Sequence, residues 1–263
     1  MTLYVEETGT PGAPSIIFIH AVATSSWMWQ PQTALLADYH CLAVDLPGHG
    51  RSNQQQWLSL SKTAATIASI IQCRATNARA HIVGLSLGGY VGLQLLNDHP
   101  KLVGSTIVSG VNVIAHPMMK AIQLLGPLLG LSIKTNAMLR ANARALHVPP
   151  HLYEAYAHEA RLMTRQAFLQ ASADAANFTL PGGLESVTSP TLALAGANEH
   201  ALILQSLPLI AGALRYSAAY TVPAAGHGWN GELPGLFSDT VRAWVSGQPL
   251  PEKLMEVPAV AIV

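Results

Sequence analysis

Gly84-Leu85-Ser86-Leu87-Gly88, followed by Gly89, constrains this chain more than any other segment. It stands where the apolar run His81-Ile82-Val83 ends and a helical pattern, Leu87 to Leu96, begins. A serine at so abrupt a strand-to-helix turn is forced into strained backbone, and its hydroxyl stands clear of the sheet. Only small flanking residues let strand and helix approach so closely, and Gly84 and Gly88 provide that two positions either side. The N–H of Leu87 then opens a helix and faces any developing oxyanion.

The rest of the pattern agrees with such a turn. Short apolar runs rich in β-branched residues read as strands buried on both faces: Ser15 to His20, Tyr39 to Val44, Ala80 to Gly84, Leu102 to Ser109, Thr191 to Ala195 and Tyr216 to Val222. Leu3 to Glu6 reads as a shorter one. Helical patterns fall between them at Trp27 to Ala37, Ser59 to Gln72 and Leu87 to Leu96, and the last at Gly235 to Ser246. Alternating strands and helices predict an α/β fold with a mostly parallel sheet covered by helices. Residues 113–181 break the alternation. They are rich in Leu, Ala, Met and Arg, and they read as a helical cap inserted into a core made of 1–112 and 182–263. The tail with Pro249, Pro251 and Pro258 reads as irregular.

Composition excludes several classes of function. Of 263 residues, 50% are apolar and 11% charged, against about 25% charged in ordinary globular proteins, so disorder is excluded. Lys plus Arg equals Asp plus Glu at 14 each, which leaves no field to draw in a nucleic acid. So charge-poor a surface suits an apolar pocket or a homo-oligomer. There is no run long enough to span a membrane and no secretory start, so a cytoplasmic protein is expected. Of the two cysteines, Cys41 lies in an apolar run and is expected to be a buried free thiol.

Four landmarks in order make the chain resemble the α/β-hydrolase superfamily with a helical cap. His20-Ala21 closes a strand where that family usually has His-Gly. Asp45-Leu46-Pro47-Gly48-His49-Gly50-Arg51-Ser52 is similar to its DxPGxGxS loop. Ser86 occupies the nucleophile elbow, and Ala225-Gly226-His227-Gly228-Trp229 resembles the loop that carries the catalytic histidine. The resemblance spans nearly the whole chain and implies an enzyme using a Ser, acid, His order. His227, in a Pro/Ala/Gly loop after the last apolar strand, is the expected base. A carboxylate is needed to hold it, and Glu199 follows the strand that starts at Thr191. The family generally has Asp there, so the longer Glu asks for different backbone spacing. Glu185 and Asp174 are weaker candidates, and Gly110-Val111-Asn112 offers no carboxylate at an alternative acid position.

The resemblance assigns the second oxyanion donor to the Val22 N–H, beside that of Leu87. Ala21 in place of glycine adds a methyl group at a tight turn. His20 is expected to orient this loop, and Asp45 to be structural together with Arg51. Pocket walls are expected from Ala21, Trp27, Trp29 and Trp229, and from Leu124 and Leu128 among the apolar cap residues. Arg140 with Arg144 and Arg161 with Arg165, spaced by four, read as solvated helix faces.

These residues imply hydrolysis of small to medium apolar or aromatic carboxylic esters through an acyl-enzyme. They imply no metal or organic cofactor, no nucleic-acid partner and no membrane span. The same triad also suits C–C bond, lactone or amide hydrolases and lyases, and a hydrolase-like binding protein with little turnover is the reading from a different class.

Overall fold

The computed structural model describes residues 2–115, 132–146 and 148–259. Eight strands form one sheet: β1 (Val5–Gly9), β2 (Ser15–Ile19), β3 (His40–Val44), β4 (Ala80–Leu85), β5 (Val103–Ser109), β6 (Thr191–Gly196), β7 (Ser217–Val222) and β8 (Met255–Glu256). Their spatial order is β1-β3-β2-β4-β5-β6-β7-β8. From β3 to β7 every neighbouring pair is parallel, whereas β1 and β8 are antiparallel at the two edges. The carboxyl ends of the six parallel strands therefore share one edge of the sheet, where open α/β sheets place their ligands.

Strand alternation sorts the side chains onto two covered faces. Ile17, Ile19, Leu42 and Val44 pack on one side with Ala64, Ile67 and Ile71 of α1 (Leu60–Arg74), Val91 and Leu95 of α2 (Leu87–Asp98), and Leu207 and Ile210 of the helix Ala201–Gly212. Ile16, Phe18, Cys41 and Ala43 pack on the other with Trp29, Trp229, Phe237 and Val241. Cys41 is a free, buried thiol, and burial pushes it up to about 12.

Helices Asn136–Ala145, Tyr153–Leu162 and Arg165–Ala176 lie between β5 and β6. Ile133, Leu139, Ala143, Tyr156, Ala157, Ala160 and Met163 form a separate cluster there that includes Ala23 of the loop after β2. This cap is tied down at defined points. Thr164 N–H donates to the Gly48 carbonyl (2.9 Å), and the Trp57 indole donates to Asp174 Oδ2 (2.9 Å). Gly48 has φ +78, and a Cβ there would stand 2.1 Å from that of Ala167, so the contact requires glycine.

Two expectations change, and one helix is added. The first strand is Val5–Gly9, because its register is set by pairing with His40–Val44. The tail is not wholly irregular: Met255 and Glu256 pair with Thr221 and Tyr220. Backbone bonding to an open sheet edge leaves no hydrophobic signature. The helix Ala201–Gly212, not marked by the sequence reading, carries Pro208 in its interior, a residue that ordinarily signals a break. Among the described residues no helix is long and apolar enough to cross a membrane.

The tightest packing in the core predicts a sharp substitution effect. A Cβ on Gly88 would meet the Ile19 carbonyl oxygen at 2.0 Å, and backbone cannot yield as a side chain can. Gly88→Ala is expected to lower unfolding stability by about 2 kcal/mol or more, read by urea denaturation.

Candidate active site

Ser86 sits between β4 and α2 with φ 52 and ψ −114, a region that non-glycine residues rarely adopt. Its N–H donates to the Ser109 carbonyl at 2.8 Å, and its own carbonyl accepts from Gly89 N–H at 2.8 Å. A Cβ on Gly84 would fall 2.3 Å from the Gly88 carbonyl oxygen. The strain at Ser86 is thus held by backbone bonds on one side and glycine contacts on the other. Leu87 begins the helix, so its N–H has no intrahelical acceptor.

His227 Nδ1 lies 2.6 Å from Glu199 Oε2. The carboxylate is 1% exposed and the imidazole 15%. With Nδ1–H donating to the carboxylate, Nε2 carries the lone pair and can accept a proton. The two loops are stitched together: Asn198 N–H donates to the Ala225 carbonyl (3.0 Å), and its side-chain amide donates to the Ala224 carbonyl (3.1 Å). Glu232 Oε1 accepts from Gly226 N–H at 3.1 Å. Gly110, next to Ser109, lies against both partners. A Cβ there would stand 2.6 Å from His227 Cε1 and 3.4 Å from Glu199 Oε1. The Ser109-Gly110 step therefore borders Ser86, His227 and Glu199 together.

The loop after β2 is ordered by His20. Leu46 N–H donates to His20 Nε2 at 2.9 Å, which makes Nδ1 the protonated nitrogen, and Nδ1–H donates to the Ala21 carbonyl at 2.7 Å. Thr24 Oγ1 donates to the same carbonyl at 2.7 Å. Ala21 keeps ordinary backbone, and the positive φ of this loop falls instead on Ala23, at 60. Val22 is half-buried between them. Asp45 is buried and accepts from the N–H groups of Ser26 and Arg51, each at 2.7 Å. The Arg51 side chain turns outward, its guanidinium 4.5 Å over the Tyr4 ring.

Beside these residues lies a cavity of about 120 Å³. Its lining includes Ala21 of the loop after β2 and Leu85 and Gly228, the chain neighbours of Ser86 and His227, but not Ser86 or His227 themselves. Trp27, Met28 and Thr24 line it from the core, and Leu146, Val148, Leu152 and Tyr156 from the cap. Burial pushes the Tyr156 phenol up to about 12, so it stays neutral. Trp27 and Ala21 are thus cavity residues. Trp29 and Trp229 are not. Both are fully buried in the core, Trp29 with ring centroids 5.3 Å from Phe18 and Trp229 4.4 Å from Phe237. Large flat rings fill the gap between sheet and helix better than they wall an opening, which corrects the expectation for both. Leu124 and Leu128 lie outside the described residues. Arg140, Arg144, Arg161 and Arg165 are exposed, Glu185 is exposed, and Asp174 serves Trp57. Met28, Thr24, Leu146 and Tyr156 escaped the sequence reading. Met28 and Tyr156 carry only the signal of an apolar helical segment, which core residues share, and Thr24 and Leu146, in a loop and at a helix end, carry none.

The family described as "Alpha/beta hydrolase family" matches residues 16–240. An AB hydrolase superfamily protein of Gibberella zeae is 28% identical over 256 residues, covering 94% of this chain and 86% of that one. Among solved structures, a thermophilic esterase from Thermogutta terrifontis superposes with TM-score 0.77 at 18% identity, covering 93% of both chains. The enol-lactonase from Burkholderia xenovorans superposes with TM-score 0.78 at 18% identity, covering 93% of this chain and 96% of that one.

The buried histidines set an acid limit on stability. Burial lowers His20 from 6.5 to about 4, His49 to about 3 and His81 to about 4. Each folded value lies below the unfolded one, so above pH 6.5 these groups are neutral in both states. As pH falls from 6.5 toward 4, the unfolded chain takes up protons that the folded chain refuses, and stability falls. The expected slope reaches about 1.4 kcal/mol per pH unit for each histidine. Urea unfolding at pH 7.5, 6.0 and 5.0 reads it, and a flat profile contradicts the burial argument.

Proposed function

The chain belongs to the α/β-hydrolase family, and we propose from that premise that it cleaves carboxylic esters of small to medium apolar or aromatic substrates through an acyl-enzyme on Ser86. Family membership supports hydrolase activity in general. The bond and the substrate class are our reading. The observation that carries it is the 2.6 Å contact holding His227 to Glu199 next to the Ser109-Gly110 step that also anchors Ser86.

In this reading His227 Nε2 takes the Ser86 hydroxyl proton as Oγ attacks the ester carbonyl carbon. The tetrahedral oxyanion is met by the N–H groups of Leu87 and Val22. Losing one such donor ordinarily costs roughly 2.7–4 kcal/mol of transition-state stabilisation. Collapse expels the alkoxide, which receives the proton from His227. A water, deprotonated by the same nitrogen, then attacks the acyl-enzyme and returns Ser86 with release of the acid. Glu199 fixes the tautomer and stabilises the imidazolium at each step.

The substrate class rests on the cavity. Its named walls are apolar side chains with a few neutral polar groups, and burying a charge there without a partner is costly. Its volume is close to that of a pocket of roughly 150 Å³ that accepts benzene, which suits a short alkyl chain or one ring. A relative of this chain, 3-oxoadipate enol-lactonase 1 of Acinetobacter baylyi, is 34% identical over 95 residues, 36% of this chain. Its name denotes an acid-bearing lactone. No cation stands among the described lining residues to pair with such a carboxylate.

A chain-length series of p-nitrophenyl esters tests the reading. Turnover is expected to peak at short to medium acyl chains and to vanish in Ser86→Ala. Equal rates in wild type and Ser86→Ala reject it. Glu199→Gln, which keeps the shape but loses the charge, is expected to lower kcat on the order of 10³–10⁴-fold, measured on the best ester of the series.

A further inference from the structure

Ser109 is the last residue of β5, fully buried, and its two polar ends serve different halves of the site. The carbonyl accepts from Ser86 N–H at 2.8 Å, which holds the strained turn. The hydroxyl accepts from the Trp229 indole N–H at 2.9 Å. Trp229 is also fully buried, follows His227 by two residues and opens the short helix Trp229–Glu232. Gly110 then turns at φ +67 beneath the imidazole and the carboxylate, and its N–H donates to the Leu194 carbonyl on the strand leading to Glu199.

We infer that Ser109 is a positioning residue, whose hydroxyl sets the place of the His227 loop relative to the turn that its own carbonyl holds. The inference rests on the serine-hydrolase reading above. The physical reason is leverage. His227 sits on a loop rich in small residues, Ala224, Ala225, Gly226 and Gly228, none of which has a side chain able to anchor it. Trp229 is the nearest large side chain, and its ring is wedged against Phe237. Ring packing alone permits sliding within the plane of the indole. A directional bond to Ser109 removes that freedom, and an error of about 1 Å at a reacting group costs on the order of 10²-fold in rate.

The experiment compares Ser109→Ala, Trp229→Phe and the double variant. The first deletes the acceptor, and the second deletes the donor while keeping an aromatic ring in the core. Each is assayed for kcat and KM on the best ester, for the second-order rate of inactivation by a fluorophosphonate, and for Tm. Both single variants are expected to lose about tenfold or more in kcat and in inactivation rate, with KM within about twofold. The double variant is expected to be no slower than the slower single one, because both remove one bond. If Ser109→Ala does not fold, Trp229→Phe decides alone. Unchanged kcat and inactivation rate beside a lowered Tm overturn the inference, as do losses that multiply in the double variant; in both cases the hydrolase reading stands. A wild-type chain inert to both ester and fluorophosphonate overturns the two together.

Discussion

The site depends on one strained peptide turn. Ser86 is held at φ 52 because the alternatives are closed off: its N–H is committed to the Ser109 carbonyl, and Gly84 and Gly88 bring strand and helix so close that any side chain there would enter backbone. The strain, of order 1–3 kcal/mol for such a residue, is sustained by the buried sheet around it. What it secures is direction. A serine in relaxed helix or strand geometry would point its hydroxyl along a packed face and not over the sheet edge.

The other parts of the site are loops, and each is fixed by a polar contact that replaces missing secondary structure. His20 bridges the loop after β2 to Leu46, in a tautomer dictated by the N–H that it accepts. Asn198 joins the Glu199 loop to the His227 loop. Glu199 reaches Nδ1 of His227 at 2.6 Å, so one additional methylene compared with aspartate is absorbed without loss of contact. The cap completes the enclosure from above. A Cβ on Gly228 would meet the Leu146 carbonyl at 2.0 Å, so cap and histidine loop are in backbone contact.

Much of this was legible in the sequence, and the reason differs from element to element. The parallel strands were readable because burial on both faces demands uninterrupted apolar runs, as in Ser15–Ile19 and Thr191–Gly196. The tight turn at Ser86 and the loop around His227 were readable because small residues crowd around them for steric reasons that the sequence records. Trp29 and Trp229 were misread as pocket walls, since an aromatic residue beside a reactive one looks the same in sequence whether it packs inward or lines an opening. β8 was missed because two exposed residues pairing through backbone leave no side-chain pattern.

Sequence alone determined the architecture and the tight turn that carries Ser86, because hydrophobic periodicity and glycine spacing are local properties that each segment carries within itself. Only the tertiary structure decided how the Glu199 carboxylate meets the His227 ring, which residues wall the cavity, and that the Ser109-Gly110 step borders Ser86, His227 and Glu199 together. Those facts arise where separate chain segments meet, 28 residues apart for Glu199 and His227 and 120 for the bond between Trp229 and Ser109. A contact of that kind is set by strand order and register, and no single stretch of sequence encodes it.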